Sequence, residues 1–154
     1  LDVESINHVI ADLSLPGRMQ ILQTMPMAMV DVAHNPHAVS YLVERLNRDP
    51  RFAQIKSIHV VVAMMKDKDI AQTLALLEGK VSAWHTAPLM DNPRAASPSD
   101  IEWILKRLGH HTIHRHGSIS QAWQSAKATL NDQTLLLGFG SFYTVAEILA
   151  SELP

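Results

Sequence analysis

The sequence predicts an α/β domain on an open, mostly parallel mixed sheet with helices on both faces. Three observations predict it. Strand-like and helix-like patterns alternate along most of the chain, the order that repeated strand–helix units produce. The apolar run from Ile58 to Met65, with Val60-Val61-Val62 inside it, reads as a strand buried on both faces. The segment Arg18 to Thr24 joins Met27 through Met25-Pro26 alone, too short for a crossover, so that pair is predicted to be an antiparallel hairpin.

Taken in order, Ser5 to Leu13 is helical by its Ile6, Val9, Ile10 and Leu13 spacing and reads as a linker helix. After the hairpin, Met27 to Ala33 is a strand ended by Asn35-Pro36. Asn35 suits a helix N-cap and Pro36 the first helical position, where its missing N–H costs nothing. Val39, Leu42, Val43 and Leu46 then share one helical face. Ile70, Leu74 and Leu77 mark the next helix, closed by Gly79, and Val81 to Thr86 a further strand. A proline-interrupted loop, Ala87 to Ser97, leads to a helix with Ile101, Ile104, Leu105 and Leu108 inward, stopped by Gly109. His111 to His116 is a short strand, and Ser118 with Gln121 a capping box before Ile119, Ala122, Trp123 and Ala126. Thr134 to Phe139 is the last strand, and Phe142, Val145, Ala146 and Leu149 the face of a terminal helix.

Composition narrows the function. With 154 residues, 13 basic and 15 acidic, the formal net charge is −2, too balanced for the basic stripe that binding nucleic acid demands. There are no cysteines, which excludes disulfides and thiolate metal sites. No apolar stretch approaches the ~20 residues that span a bilayer. No basic and then apolar leader opens the chain, so a cytoplasmic domain with no membrane partner is expected.

Ligands of open parallel sheets bind beyond the carboxyl ends of the strands. The unusual polar residues fall in those loops: Asp31, His34 and Asn35, then Lys66-Asp67-Lys68-Asp69, then Gly138-Phe139-Gly140-Ser141. Asp67 or Asp69 also suits a helix cap, and Ser141 an N-cap. Asp31 within an apolar strand is harder to read as structural, because an unpaired buried carboxylate is costly. Gly138 and Gly140 lack the third glycine of a dinucleotide fingerprint, its place taken by Tyr143. His110, His111, His114 and His116 raise a metal reading. Only His114 and His116 would share a strand face, however, so chance histidines on a solvated edge are expected and no metal site. No Ser–His–Asp arrangement can be argued from spacing, and the sequence contains no G-x-x-x-x-G-K-[ST] phosphate loop.

Leu15-Pro16-Gly17-Arg18, Asp31-Val32-Ala33-His34-Asn35-Pro36-His37-Ala38 and Gly140-Ser141-Phe142-Tyr143-Thr144-Val145 together resemble the carboxyl-terminal half of folylpolyglutamate synthase. Met65 to Ile70 and Asn92-Pro93-Arg94-Ala95 are similar to the bacterial bifunctional form, which is also dihydrofolate synthase. The resemblance implies the Rossmann-like carboxyl-terminal domain of the Mur ligase superfamily over residues 15–154. Residues 1–14 would then be a linker and the end of an amino-terminal domain. It implies an ATP-dependent amide ligase adding L-glutamate to dihydropteroate and to folate polyglutamates through an acyl phosphate. By family position Arg18 would contact the ATP phosphates and Asp31 the ribose, while His34 and Ser141 would line the glutamate side at the domain interface. The phosphate loop and the Mg²⁺ ligands would come from the amino-terminal ATPase domain, so this chain alone is expected to be inactive. Two alternatives remain. A UDP-muramoyl-peptide ligase would carry a motif resembling Asp-Tyr-Ala-His-Thr-Pro, from which Val32 and Asn35 depart. A free-standing nucleotide-binding module would lack catalysis altogether.

Overall fold

A computed structural model describes residues 17–154; the helix predicted over Ser5 to Leu13 lies outside them. The strands are β1 (Gln20–Thr24), β2 (Met27–Asp31), β3 (Ser57–Val62), β4 (Val81–Thr86), β5 (Ile113–Arg115) and β6 (Thr134–Phe139). The helices are α1 (Pro36–Arg48), α2 (Ile70–Ala75), α3 (Pro98–Arg107), α4 (Ile119–Lys127) and α5 (Phe142–Ser151). One six-stranded sheet runs β1-β2-β6-β3-β4-β5, antiparallel between β1 and β2 and parallel elsewhere.

Alternation along the strands divides the core in two. Met29, Val60, Val62, Leu135, Leu137 and Phe139 pack with Val39 and Leu42 of α1, Leu74 of α2, and Ile101 and Leu105 of α3. Ala28, Val30, Val61 and Leu136 pack on the other face with all four predicted residues of α4 and with Val145 and Ile148 of α5. β6, flanked by strands and covered on both faces, is buried throughout. Among the described residues no helix is long and apolar enough to cross a membrane.

Local chemistry explains most boundaries. Asn35 Oδ1 accepts from the Ala38 N–H at 2.8 Å, with Pro36 in the first turn of α1. Asp69, not Asp67, caps α2, and Ser118 caps α4 by accepting from the Gln121 N–H. β2 stops at Asp31 and β3 at Val62, short of the predicted Ala33 and Met65. The apolar runs continue because Val32, Ala33, Ala63, Met64 and Met65 stay buried after leaving the ladder. β1 begins at Gln20 rather than Arg18, because Gly17 and Met19 adopt positive φ and turn the chain.

The predicted face of the terminal helix is wrong by a rotation. Thr144, Val145 and Ile148 are the buried residues of α5, while Phe142 is 67% exposed. Hydroxyls set the rotation: Ser141 Oγ accepts from the Thr144 N–H, and Thr144 Oγ1 donates to the Ala63 carbonyl at 2.8 Å.

The histidines of the β5 edge are not isolated. His114 pairs with His85 in the β4–β5 ladder, and their rings stack at 4.9 Å. His116 Nε2 lies 2.9 Å from His85 Nδ1, and His59 stands 6.4 Å from His85 on β3. Among the described residues no group of three or more histidines and carboxylates could hold a metal ion. Burial, with His114, His116 and His59 alongside, pushes His85 down to about 4 from 6.5. The fold therefore favours neutral His85, and the unfolded chain binds the extra proton first. Stability supplied by the neutral ring is complete above about pH 6.5 and is lost as the pH falls toward about 4. Urea midpoints measured at pH 7 and pH 5 should show this fall, and His85→Leu should flatten it. Equal pH dependence in the two proteins would contradict the assignment.

Candidate functional site

Insertion of β6 between β2 and β3 places Asp31, Phe139 and Val62 in one row across the sheet. The loop after β2 leads to α1 on one face, and the loop after β6 leads to α5 on the other. Such a divergence opens a crevice at the carboxyl ends, the topological switch point where open sheets bind ligands. Gly140 lets the walls approach. Its N–H donates to the Ala33 carbonyl at 3.1 Å, its φ is +122°, and a Cβ there would stand 2.4 Å from the Ala63 carbonyl oxygen.

His34 and Ser141 come together here. With Lys68, Arg94, Phe142 and Tyr143 they line a shallow cavity of about 170 Å³. His34 Nδ1 lies 3.0 Å from the Val32 carbonyl, an acceptor, so Nδ1 carries the proton and Nε2 is the acceptor of the neutral ring. Ser141 is only 5% exposed. Thr144 gives its one hydroxyl proton to Ala63, so the Ser141 hydroxyl donates to Thr144 Oγ1 at 2.7 Å while accepting from the Thr144 N–H at 3.0 Å.

Lys68 and Arg94, which the sequence marks only as part of a polar strand-end loop and of a family-like motif, also line the cavity. They meet because the loop after β4 folds back on the end of β3. Lys66 N–H donates to the Arg94 carbonyl at 2.8 Å, Ala96 N–H to the Met64 carbonyl at 2.8 Å, and Met65 bridges Ala95. Among the described residues no acidic side chain lines the cavity. Two cations and the first turn of α5 therefore face one opening, a field suited to a carboxylate, with the imidazole acceptor beside them.

Arg18 and Asp31 form a separate group on the β1–β2 side. Asp31 is 8% exposed, and both carboxylate oxygens are engaged by backbone donors. Oδ2 accepts from the Met19 N–H at 3.0 Å and Oδ1 from the Ala33 N–H at 2.8 Å. Burial pushes the carboxyl above the ordinary value of 3.8, opposed by those two bonds and by the charge of Arg18. No ion pair joins Arg18 to Asp31 among the described residues, and the arginine is exposed.

The family model for the Mur ligase glutamate ligase domain matches residues 17–142. The chain belongs to that family. The dihydrofolate synthase/folylpolyglutamate synthase of Escherichia coli K12 is 40% identical over 94% of this chain. Escherichia coli FolC in complex with DHPP and ADP superposes with a TM-score of 0.77 at 39% identity, covering 97% of this chain and 34% of that one. A bifunctional folylpolyglutamate synthase/dihydrofolate synthase with Mn, AMPPNP and L-glutamate bound gives a TM-score of 0.79 at 37% identity, covering 98% and 35%. This Mur ligase domain spans about a third (32%) of the length of the curated E. coli relative. Its mixed six-stranded sheet is thus the fold of a glutamate ligase domain.

Proposed function

We propose that this chain is the carboxyl-terminal domain of a cytoplasmic ATP-dependent ligase that adds L-glutamate to dihydropteroate and to folate polyglutamates. Residues 15–154 form the domain, and residues 1–14 are the linker and the end of an amino-terminal ATPase domain. That domain carries the phosphate loop and the Mg²⁺ ligands. In the reaction a pterin-side carboxylate attacks the γ-phosphorus of ATP and ADP leaves. The glutamate amine then attacks the acyl carbon and phosphate departs. Arg18 meets the ATP phosphates as a fixed cation, and Asp31 lies at the ribose, each oxygen retaining a lone pair beyond its backbone bond.

The observation that carries the glutamate assignment is the cavity where His34 and Ser141 meet Lys68 and Arg94 with no acidic side chain among the described residues that line it. For Ser141 to donate to glutamate its proton must leave Thr144, so Lys68 and Arg94 supply more of the carboxylate affinity, while His34 Nε2 accepts from the glutamate ammonium. A charge-assisted hydrogen bond is worth about 1.5–3 kcal/mol, so His34→Ala or Lys68→Ala in the full-length protein should raise the glutamate KM about ten- to hundredfold. ATP affinity should change far less. Ser141→Ala should combine a raised glutamate KM with a stability loss of about 0.5–2 kcal/mol from the missing cap. Steady-state kinetics with glutamate varied, beside thermal unfolding, reads both quantities. Normal glutamate kinetics in all three variants would leave the cavity without this role.

A further inference from the structure

The turn preceding β1 is built in an uncommon way. Gly17 has φ +81° and Met19 φ +42°, so two left-handed residues flank Arg18. Positive φ is ordinary for glycine but unusual for a residue bearing a long side chain. Three hydrogen bonds and close packing hold the turn. Gly17 N–H donates to Gln20 Oε1 at 2.8 Å, and Val32 N–H donates to the Gly17 carbonyl at 2.6 Å. Met19 N–H donates to Asp31 Oδ2 at 3.0 Å, and the Met19 side chain is buried in the core. Finally, a Cβ on Gly17 would stand 2.8 Å from Val32 Cγ1, so the turn lies directly on the end of β2. Between these clamped neighbours only Arg18 is exposed.

We infer that Gln20 and Asp31 are positioning residues for Arg18. They fix the backbone on either side of it and so aim the guanidinium, which on a relaxed turn would sample many directions. The role of Gln20 follows from the turn alone, and its consequence for catalysis rests on the reading that Arg18 meets the ATP phosphates. Asp31 serves the turn through backbone donors, which explains why its charge is buried without an ion pair to Arg18. The substitution Asp31→Asn does not preserve this arrangement, because an amide has one acceptor oxygen where two separate N–H groups need one each.

The discriminating variant is Gln20→Met in the full-length protein. It keeps the length and aliphatic stem of the side chain, removes the acceptor, and touches no substrate in any reading of the site. Its kcat should fall about three- to tenfold while KM for ATP and for glutamate stays within about twofold. Placed on an Arg18→Ala background, the same change should have no further effect on kcat, a non-additivity that coupling through Arg18 requires. Asp31→Asn should behave alike on that background, and thermal unfolding shows which variants remain folded. Wild-type kcat in Gln20→Met overturns the inference. So does a loss that multiplies fully with that of Arg18→Ala, which would mean a structural effect independent of the arginine. Should Arg18→Ala itself keep wild-type kcat, the reading of Arg18 and the inference fall together, an outcome separable from the other two by that single variant.

Discussion

Arg18→Ala in the full-length protein is expected to slow phosphoryl transfer about a hundred- to a thousandfold, the scale on which removing one fixed electrostatic group acts. Negative charge spreads over the transferring phosphoryl oxygens in the transition state, and a cation already in place needs no reorganisation to meet it. The fold supplies such a cation at low cost in freedom: the flanking backbone is hydrogen-bonded to Gln20 and Asp31, while the side chain itself is exposed. Single-turnover formation of ADP isolates this step from product release. Glutamate affinity should be little changed, because Arg18 does not line the His34 cavity. A variant forming ADP at the wild-type rate would remove Arg18 from the chemistry.

Gly140→Ala is expected to destabilise the chain by about 3 kcal/mol or more, adding backbone strain to overpacking. The added methyl would stand 2.4 Å from the Ala63 carbonyl, 2.9 Å from Met64 Cγ and 3.1 Å from Val62 Cγ2, at φ +122°. The nearest of these is backbone held by Thr144, so it cannot swing aside. Gly79→Ala is the control. Gly79 also has positive φ, +79°, yet nothing lies within 4 Å of its Cβ direction, so it should lose only the conformational part, about 1 kcal/mol. Urea unfolding of both variants measures the difference. Equal losses would show that the close approach of the two loops carries no cost.

The elements with strong local signals were legible in the sequence. The apolar face of α4 appears as Ile119, Ala122, Trp123 and Ala126 in both sequence and structure, because its period and its Ser118 cap agree. The face of α5 was misread: Phe142 and Val145 keep helical spacing, but the Thr144 hydroxyl anchored to the Ala63 carbonyl, with the Ser141 cap on Thr144, rotates the helix and leaves Phe142 outside. That bond spans 81 residues, beyond any local pattern. The same distinction runs through the site. Asp31, His34 and Ser141 stood out because polar residues at strand ends are local features. The approach of Lys68 to Arg94 depends on the pairing of Met65 with Ala95, and the histidine group depends on the β3–β4–β5 register. Neither is written in spacing along the chain.

The position of β6 also bears on how the molecule is made. Of the six described strands it is the latest in the chain, yet among them it alone links the β1–β2 hairpin to the β3–β4–β5 group. During synthesis those two pieces emerge early and wait, each with an unfilled edge, until Thr134 to Phe139 leaves the ribosome. Pairings this distant are slow to form, and unpaired edges are the places where nascent chains adhere to one another. A chain interrupted before Thr134 would have no spine and no Gly140 to join the two loops. The crevice therefore cannot form by degrees: its two walls meet only once β6 is seated between β2 and β3.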